Sequence, residues 1–456
     1  MSHTRPGHTL AQKNFIFFLI VLKFPFAVFC QQADWFVLND ASHMFTPQFL
    51  EVDAAENSYV VGGYTGEAMF RSAQPEGKTF HTYTSEHWKK TFLAKYDASG
   101  EFQWLVKIRG TGSNSNYADP RAFRILSDGR LVLAAYTNSG ITVEDLSSEK
   151  QKTKGYQQMQ LLYFTAEGKF LSAQNVPIKH IMKLVEGPAG SLYMLGQKTG
   201  YNPNPRGIFV LKAGEKEIQR IPLPMIPIND FELHEGKLWF LTVEEKRTNR
   251  YQKRQTIGFY EVHEHNATVD WEPNFTLSLA SYLDSRPSLI KTGNQVQLSL
   301  SLRKDKNALF QLNDEGKNLF DMQALLLYNS GGERIQLLDL NNLSASNLYI
   351  QGRKAGGYFW IAQPNGNFKV PGRDSIRINQ SHPHERSQMI LQFDEEMQVQ
   401  NYLFGGAVSV HGPPCAIHEE NERIFFSSRL FNRITIGDQT YELNWRSGFY
   451  LFKLSF

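Results

Sequence analysis

Seven polar residues recur at matching places along the chain: Glu51, Arg124, Lys183, Glu232, Ser288, Asp339 and His418. Each sits in an apolar run, as in Phe231-Glu232-Leu233 and Leu338-Asp339-Leu340. In an extended strand successive side chains alternate between faces, so a lone polar residue in such a run points away from its neighbours. If the seven segments surround one channel, these side chains form a ring of mixed charge able to hold a small polar ligand. Three of them are carboxylates. Cleavage of a glycosidic bond uses two carboxyl groups at a set separation, one of them protonated. The same ring is therefore where a carbohydrate-active hydrolase or lyase would carry its acids.

Other chemistry-bearing residues read as structure. His263-Glu264-His265 and His382-Pro383-His384-Glu385 each offer two imidazoles, whereas zinc takes three or four protein ligands. They read as solvated loop histidines, and no metal or cofactor is expected. Cys415 stands near His411 and His418, but an activated thiol needs a lowered pKa and a fixed geometry. Pro413-Pro414-Cys415 entering a strand reads as packing. Asp97-Ala98-Ser99-Gly100 and Asn313-Asp314-Glu315-Gly316 lack the alternating oxygen ligands of a calcium loop and read as hairpin turns. The basic run Lys246, Arg247, Arg250, Lys253, Arg254 reads as a solvated loop that an acidic partner or anionic glycan could meet. Tyr358, Phe359 and Trp360 fall in the longest insertion, from about Gly352 to Gln388, as an extra strand or as anchors for a partner.

A repeat positions the seven polar residues. Short apolar strands reach turns at Glu56-Asn57, Asp128-Gly129, Ala189-Gly190, Glu235-Gly236, Gly293-Asn294, Ser346-Asn347 and Asn421-Glu422. Aromatic or β-branched strands leave them, as in Leu238-Trp239-Phe240. A second hairpin follows, plainest in residues 92–104 and again in 161–170 and 308–317, with weaker copies starting at Ile208, Ile257 and Met389. Two hairpins give four strands per unit, and no long stretch shows helical periodicity. The expected fold is all-β: a single β-propeller of about seven four-stranded blades. The last unit ends at its third strand, Gly448 to Phe456, while Asp34-Trp35-Phe36-Val37-Leu38 precedes the first unit. Pairing of that N-terminal strand in the last blade is expected to close the ring and to leave fewer sheet edges exposed.

Residues 92–104, Phe-Leu-Ala-Lys-Tyr-Asp-Ala-Ser-Gly-Glu-Phe-Gln-Trp, resemble the bacterial SBBP-type β-propeller repeat. Ile434 to Tyr441 is similar to that family's connector between second and third strands. The first and last units carry the resemblance, and the units from about 180 to 390 share only its outline. The resemblance implies the propeller fold and an exported or envelope location rather than an activity.

The N-terminus agrees with export. Arg5 and Lys13 precede the apolar run Asn14 to Leu22, which continues to Cys30. This reads as a signal peptide over 1–30, cleaved near Cys30, followed by a propeller domain over 31–456. A lipid anchor on Cys30 is the lesser reading, because Phe29 stands where lipoprotein signals carry a small residue. The chain has 48 basic and 45 acidic residues, and Arg5, Lys13 and Lys23 lie in 1–30 with no acid. The mature charge is then zero, which speaks against nucleic acid as a partner. Cys415 would be the one cysteine left, so packing rather than a disulfide must stabilise the domain. The expected function is a non-enzymatic binding or scaffold module of the bacterial cell envelope or surface. Its partner would be an envelope or surface protein or a glycan, with no transmembrane span and at most peripheral outer-membrane association.

Overall fold

The computed structural model describes residues 33–84, 89–111, 117–145, 150–154, 158–198, 206–223, 228–247, 253–263, 273–279, 288–292, 295–302, 324–329, 331, 334–339, 343–353, 356–364, 386–395, 399–407, 416–420, 423–430, 433–436, 439–443 and 447–455. The proposed signal segment 1–30, Glu264, His265, the 308–317 hairpin, His382 to Glu385 and Cys415 lie outside them. So does Arg250 of the basic run. Among the described residues no helix is long and apolar enough to cross a membrane.

The chain is an all-β propeller. Six blades are each founded on one run of chain, innermost strand first. Their innermost strands are Met44–Val52, Asp119–Ile125, Ile178–Glu186, Ile228–His234, Ser288–Thr292 and Leu343–Gly352. These strands touch one another in that order. A further, composite sheet joins the two ends of the chain, in the order Ala416–Glu420, Arg423–Leu430, Ser447–Ser455, Trp35–Ala41, Glu67–Arg71, Thr79–Tyr83. We call it the seam sheet. Trp35–Ala41 pairs antiparallel with Ser447–Ser455 from Trp35↔Lys453 to Ala41↔Ser447.

The expectation of about seven four-stranded blades in a closed ring is corrected in three respects: the blades number six, not seven, and strand number and closure also differ. Blades 2 to 5 have four strands, but blade 1, blade 6 and the seam sheet have six. Among the described residues no sheet is closed on itself by hydrogen bonds, and no strand-to-strand backbone ladder joins one sheet to the next. The extra strands share one origin. In three units the connector between second and third strands is itself a hairpin that crosses to the preceding sheet. Glu67–Arg71 and Thr79–Tyr83 leave blade 1 and cover Trp35–Ala41 of the seam sheet. Ile141–Glu144 and Lys150–Lys152 leave blade 2 and cover Phe102–Gly110 of blade 1. Arg433–Ile436 and Gln439–Glu442 leave the seam sheet and cover Val399–Ala407 of blade 6. Each donated hairpin pairs an edge that would otherwise be open.

Apolar side chains between neighbouring sheets do the rest. At the seam the Phe45 ring lies 4.7 Å from Phe449, 5.1 Å from Phe70 and 5.3 Å from Phe92, centroid to centroid. Edge-to-face pairs of this kind add to the gain from burying the rings. A second device occurs twice. Across three strands, Tyr59, Lys95 and Trp104 stand in register in blade 1, as do Phe425, Lys453 and Trp35 in the seam sheet. Each set docks on the second hairpin turn of the sheet that follows. Lys95 Nζ donates to Ala166 O and Lys453 Nζ to Ala98 O, both at 3.3 Å. Trp104 lies against Gly168 and Trp35 against Gly100, with backbone φ of +82° and +81° at the two glycines. A Cβ at either glycine would sit 2.8 Å from the indole ring. Glycine is needed there both for its conformation and for the space.

The seam also holds a buried ion pair. Lys453 Nζ donates to Glu56 Oε2 at 2.6 Å, with the two side chains 8% and 9% exposed. Arg423 reaches the same carboxylate from the adjacent strand.

Candidate functional site

Six of the seven ring residues lie on innermost strands. Glu51 is one residue from the end of Met44–Val52 and Arg124 one from the end of Asp119–Ile125. Lys183, Glu232, Ser288 and His418 lie on Ile178–Glu186, Ile228–His234, Ser288–Thr292 and Ala416–Glu420. Asp339 is different. It ends Arg334–Asp339, the outermost strand of blade 5, opposite Ala324. Its place among the inner residues is corrected: the alternation around Leu338-Asp339-Leu340 is common to any half-buried strand and does not tell inner from outer. The innermost strand that follows is Leu343–Gly352, which runs unbroken through Ser346-Asn347, where a turn was expected. Register slips there between Ser344 and Tyr349. The turn comes at Arg353–Gly357, where Gly356 and Gly357 have φ of +92° and +81°.

The inner residues meet across blade boundaries. Arg124 Nη1 donates to Glu51 Oε1 at 3.0 Å. His418 Nδ1 lies 3.9 Å from Glu51 Oε2, and its Nε2 lies 3.4 Å from Glu420 Oε2. This arc joins the seam sheet, blade 1 and blade 2. A second arc joins blades 3, 4 and 5. Lys183 Nζ donates to Asp230 Oδ1 at 3.0 Å and also to Glu232. Asp230 Oδ2 in turn accepts from the backbone N–H of Leu289, next to Ser288, at 2.8 Å. Arg124 is the most open of the ion-paired ring side chains, 43% exposed against 16% for Glu51 and 27% for Lys183.

Electrostatics tie the arcs together. The Glu51 carboxylate raises the Arg124 guanidinium above its ordinary pKa; burial opposes this, and Glu232 and Glu186 add to it. Burial alone would lower the Lys183 ammonium, but Asp230 and Glu232 override it and hold Lys183 above the lysine range. Both cations thus keep their protons throughout the physiological range. The arrangement can hold a polar ligand between fixed charges of both signs, with little reorganisation on binding.

Three further carboxylates belong to this region. Asp230 and Glu420 stand two residues from Glu232 and His418, and residues two apart on a strand share a face. Scoring one polar position per strand misses that second row. Glu186 is found from the opposite side: it accepts from Ser127 N at 2.7 Å and Ser127 Oγ at 2.8 Å, bridging blades 2 and 3 at the first-hairpin turn.

The remaining candidates are placed as follows. Asp97 Oδ1 accepts from Ser99 N and Glu101 N, both at 3.0 Å, so it is occupied in building its own turn. Tyr358 and Phe359 open the second strand of blade 6, Tyr358–Pro364, and are 2% and 1% exposed. They belong to the core and are not surface anchors. Lys246, Arg247, Lys253 and Arg254 lie on the strands Lys237–Arg247 and Lys253–His263, paired Lys246↔Arg254 and Arg247↔Lys253. The basic run is therefore largely strand, not loop. His263 ends the second of these strands. Among the described residues no group of three or more His, Cys, Asp and Glu side chains is arranged to hold a metal ion.

No protein-family profile matches the chain, and no curated protein matches its sequence. Solved structures do resemble it. Virginiamycin B lyase from Staphylococcus aureus is 11% identical, with a TM-score of 0.34 over 71% of this chain and 95% of that one. The N-terminal domain of Nup159 is 9% identical, with a TM-score of 0.32 over 93% and 97%. The gluconolactonase XC5397 from Xanthomonas campestris is 8% identical, with a TM-score of 0.28 over 93% and 98%. Likeness at this level assigns no activity.

Proposed function

We propose that the chain is a non-enzymatic binding module that holds a polar group of a glycan or protein at the inner-strand ring. The observation that supports this most is how the ring charges are paired. The ring carboxylates Glu51 and Glu232 each face a cation from a neighbouring blade, Arg124 and Lys183. A glycosidase needs one carboxyl that delivers a proton to the leaving group, and an acid held against a permanent cation is poorly placed for that. Arg124, open and only partly engaged, is the natural contact for a ligand carboxylate or phosphate. The export signal read over 1–30 and the SBBP-like stretch 92–104 support a bacterial envelope or surface setting.

A second reading rests on His418. Its imidazole lies between Glu51 and Glu420, an arrangement that can orient a histidine as general acid or base. In that reading the protein is a carbohydrate-active hydrolase or lyase, with Arg124 neutralising a substrate carboxylate. One experiment separates the two. The full chain is screened against neutral and acidic oligosaccharides by thermal shift, and each hit is followed by NMR for consumption. We expect a hit that Arg124→Gln abolishes and that is recovered unchanged after incubation. Consumption of the hit at a rate lost in His418→Ala would overturn the binding reading in favour of the enzyme.

A further inference from the structure

The outer strands of blade 1 gather cations that the inner ring does not use. Lys107, Glu144 and Lys150 stand in register across three strands, and Arg109, Thr142 and Lys152 form the next row. Residues in register, and residues two apart on a strand, share a face. The charges thus form a grid with a spacing of about 5 Å across strands and about 7 Å along them. Two of these strands come from the hairpin that blade 2 donates. Lys90 borders the grid and donates to Tyr83 O at 3.3 Å. Tyr83, on the outermost strand of the seam sheet, is 68% exposed.

Among the described residues one carboxylate answers this group. Glu144 lies 3.2 Å from Lys107, 3.6 Å from Arg109 and 3.7 Å from Lys150. Burial would raise the Glu144 carboxyl, yet the three cations hold it below its usual range. Lys90 senses the surplus. Its ammonium is depressed first by burial and then by Arg109, Lys107 and Lys150, with Glu144 the opposing influence. The whole chain carries a formal charge of only +3, so this excess is local.

We infer that this face of blade 1 binds an acidic polysaccharide. Lys107, Arg109, Lys150 and Lys152 take anionic groups on successive sugars, and the exposed Tyr83 ring offers a flat surface to a sugar ring beside Lys90. A regular two-dimensional set of cations suits a chain whose charges repeat at fixed intervals. A membrane-surface element sets large apolar side chains among its cations; none is exposed on the described strands of blade 1, and the exposed rings beside it, Phe80 and Tyr83, are confined to one strand of the seam sheet. The site is separate from the inner ring and does not depend on it.

The test uses the full chain in affinity electrophoresis through polygalacturonate, with dextran as the uncharged control and phosphatidylglycerol vesicles in a parallel sedimentation assay. The expected result is retardation by polygalacturonate but not dextran, falling steeply with added salt. Lys107→Gln/Arg109→Gln/Lys150→Gln should weaken it about tenfold or more, and Arg124→Gln should leave it unchanged. Lys150→Glu, at a residue 58% exposed, keeps the test decisive if the triple variant fails to fold. Absence of retardation, equal retardation of the variants, or binding to the vesicles alone would each overturn the proposal.

Discussion

Replacing Lys453 by methionine removes the ammonium and leaves Glu56 buried with Arg423 as its remaining cation. Breaking a buried pair by deleting one partner is costly because the other charge stays in low dielectric. Arg423 is 41% exposed and softens the loss. Lys453→Met should therefore cost about 3 kcal/mol, at the lower end of the range for such pairs. The expected reading is a lower urea midpoint at unchanged slope, and Glu56→Gln in the same chain should restore part of it. Glu56 has a second tension. It adopts a φ of +63° in its turn, a conformation that disfavours a side chain with a Cβ. The ion pair is what a glycine at this position would forfeit. None of this was legible in the sequence, because Glu56 and Lys453 are nearly the whole chain apart and nothing local to either residue marks the other.

Elements were far more legible than contacts. The first-hairpin turns at Asp128-Gly129 and Glu235-Gly236 lie where their residue types place them, since a left-handed backbone favours Gly and its polar neighbours. The 92–104 stretch splits into the strands Lys90–Tyr96 and Phe102–Gly110 around Gly100. What failed was rank within a blade: Asp339 and the Ser346-Asn347 turn were misplaced because period-two alternation is the same on inner and outer strands. The donated hairpins were hidden for a related reason. Strand character shows in residue type, but the choice of partner edge is a tertiary property. The Gly168 turn permits a clean test. Gly168→Ala places a Cβ in the left-handed region and against Trp104, whereas Gly129→Ala at the same φ of +82° meets nothing within 4 Å. The first should cost about 2–3 kcal/mol and the second about 1. Equal losses in chemical denaturation would show that the indole does not press on the turn.

At the scale of the whole molecule, the seam is the place where the two ends of the chain become one sheet. A chain lacking 33–41 loses the partner of Ser447–Ser455 and the strand on which Glu67–Arg71 rests. Its melting temperature should fall by several degrees or more, since 1 kcal/mol moves a large domain by about 2–4 °C. A peptide of residues 33–43 added in trans should recover part of the loss and leave the full chain unaffected. Melting of the truncated chain at the full-length temperature would mean that apolar packing alone holds the seam.

The donated hairpins also set an order of assembly during synthesis. Blade 1 cannot complete its outer edge until blade 2 has supplied 141–152. Trp35–Ala41 and the hairpin Glu67–Tyr83 wait longest, for their sheet is founded on residues 416–455. A ribosome therefore finishes these early strands last, and until then Phe70, fully buried in the finished sheet, stands without its packing partner Phe449.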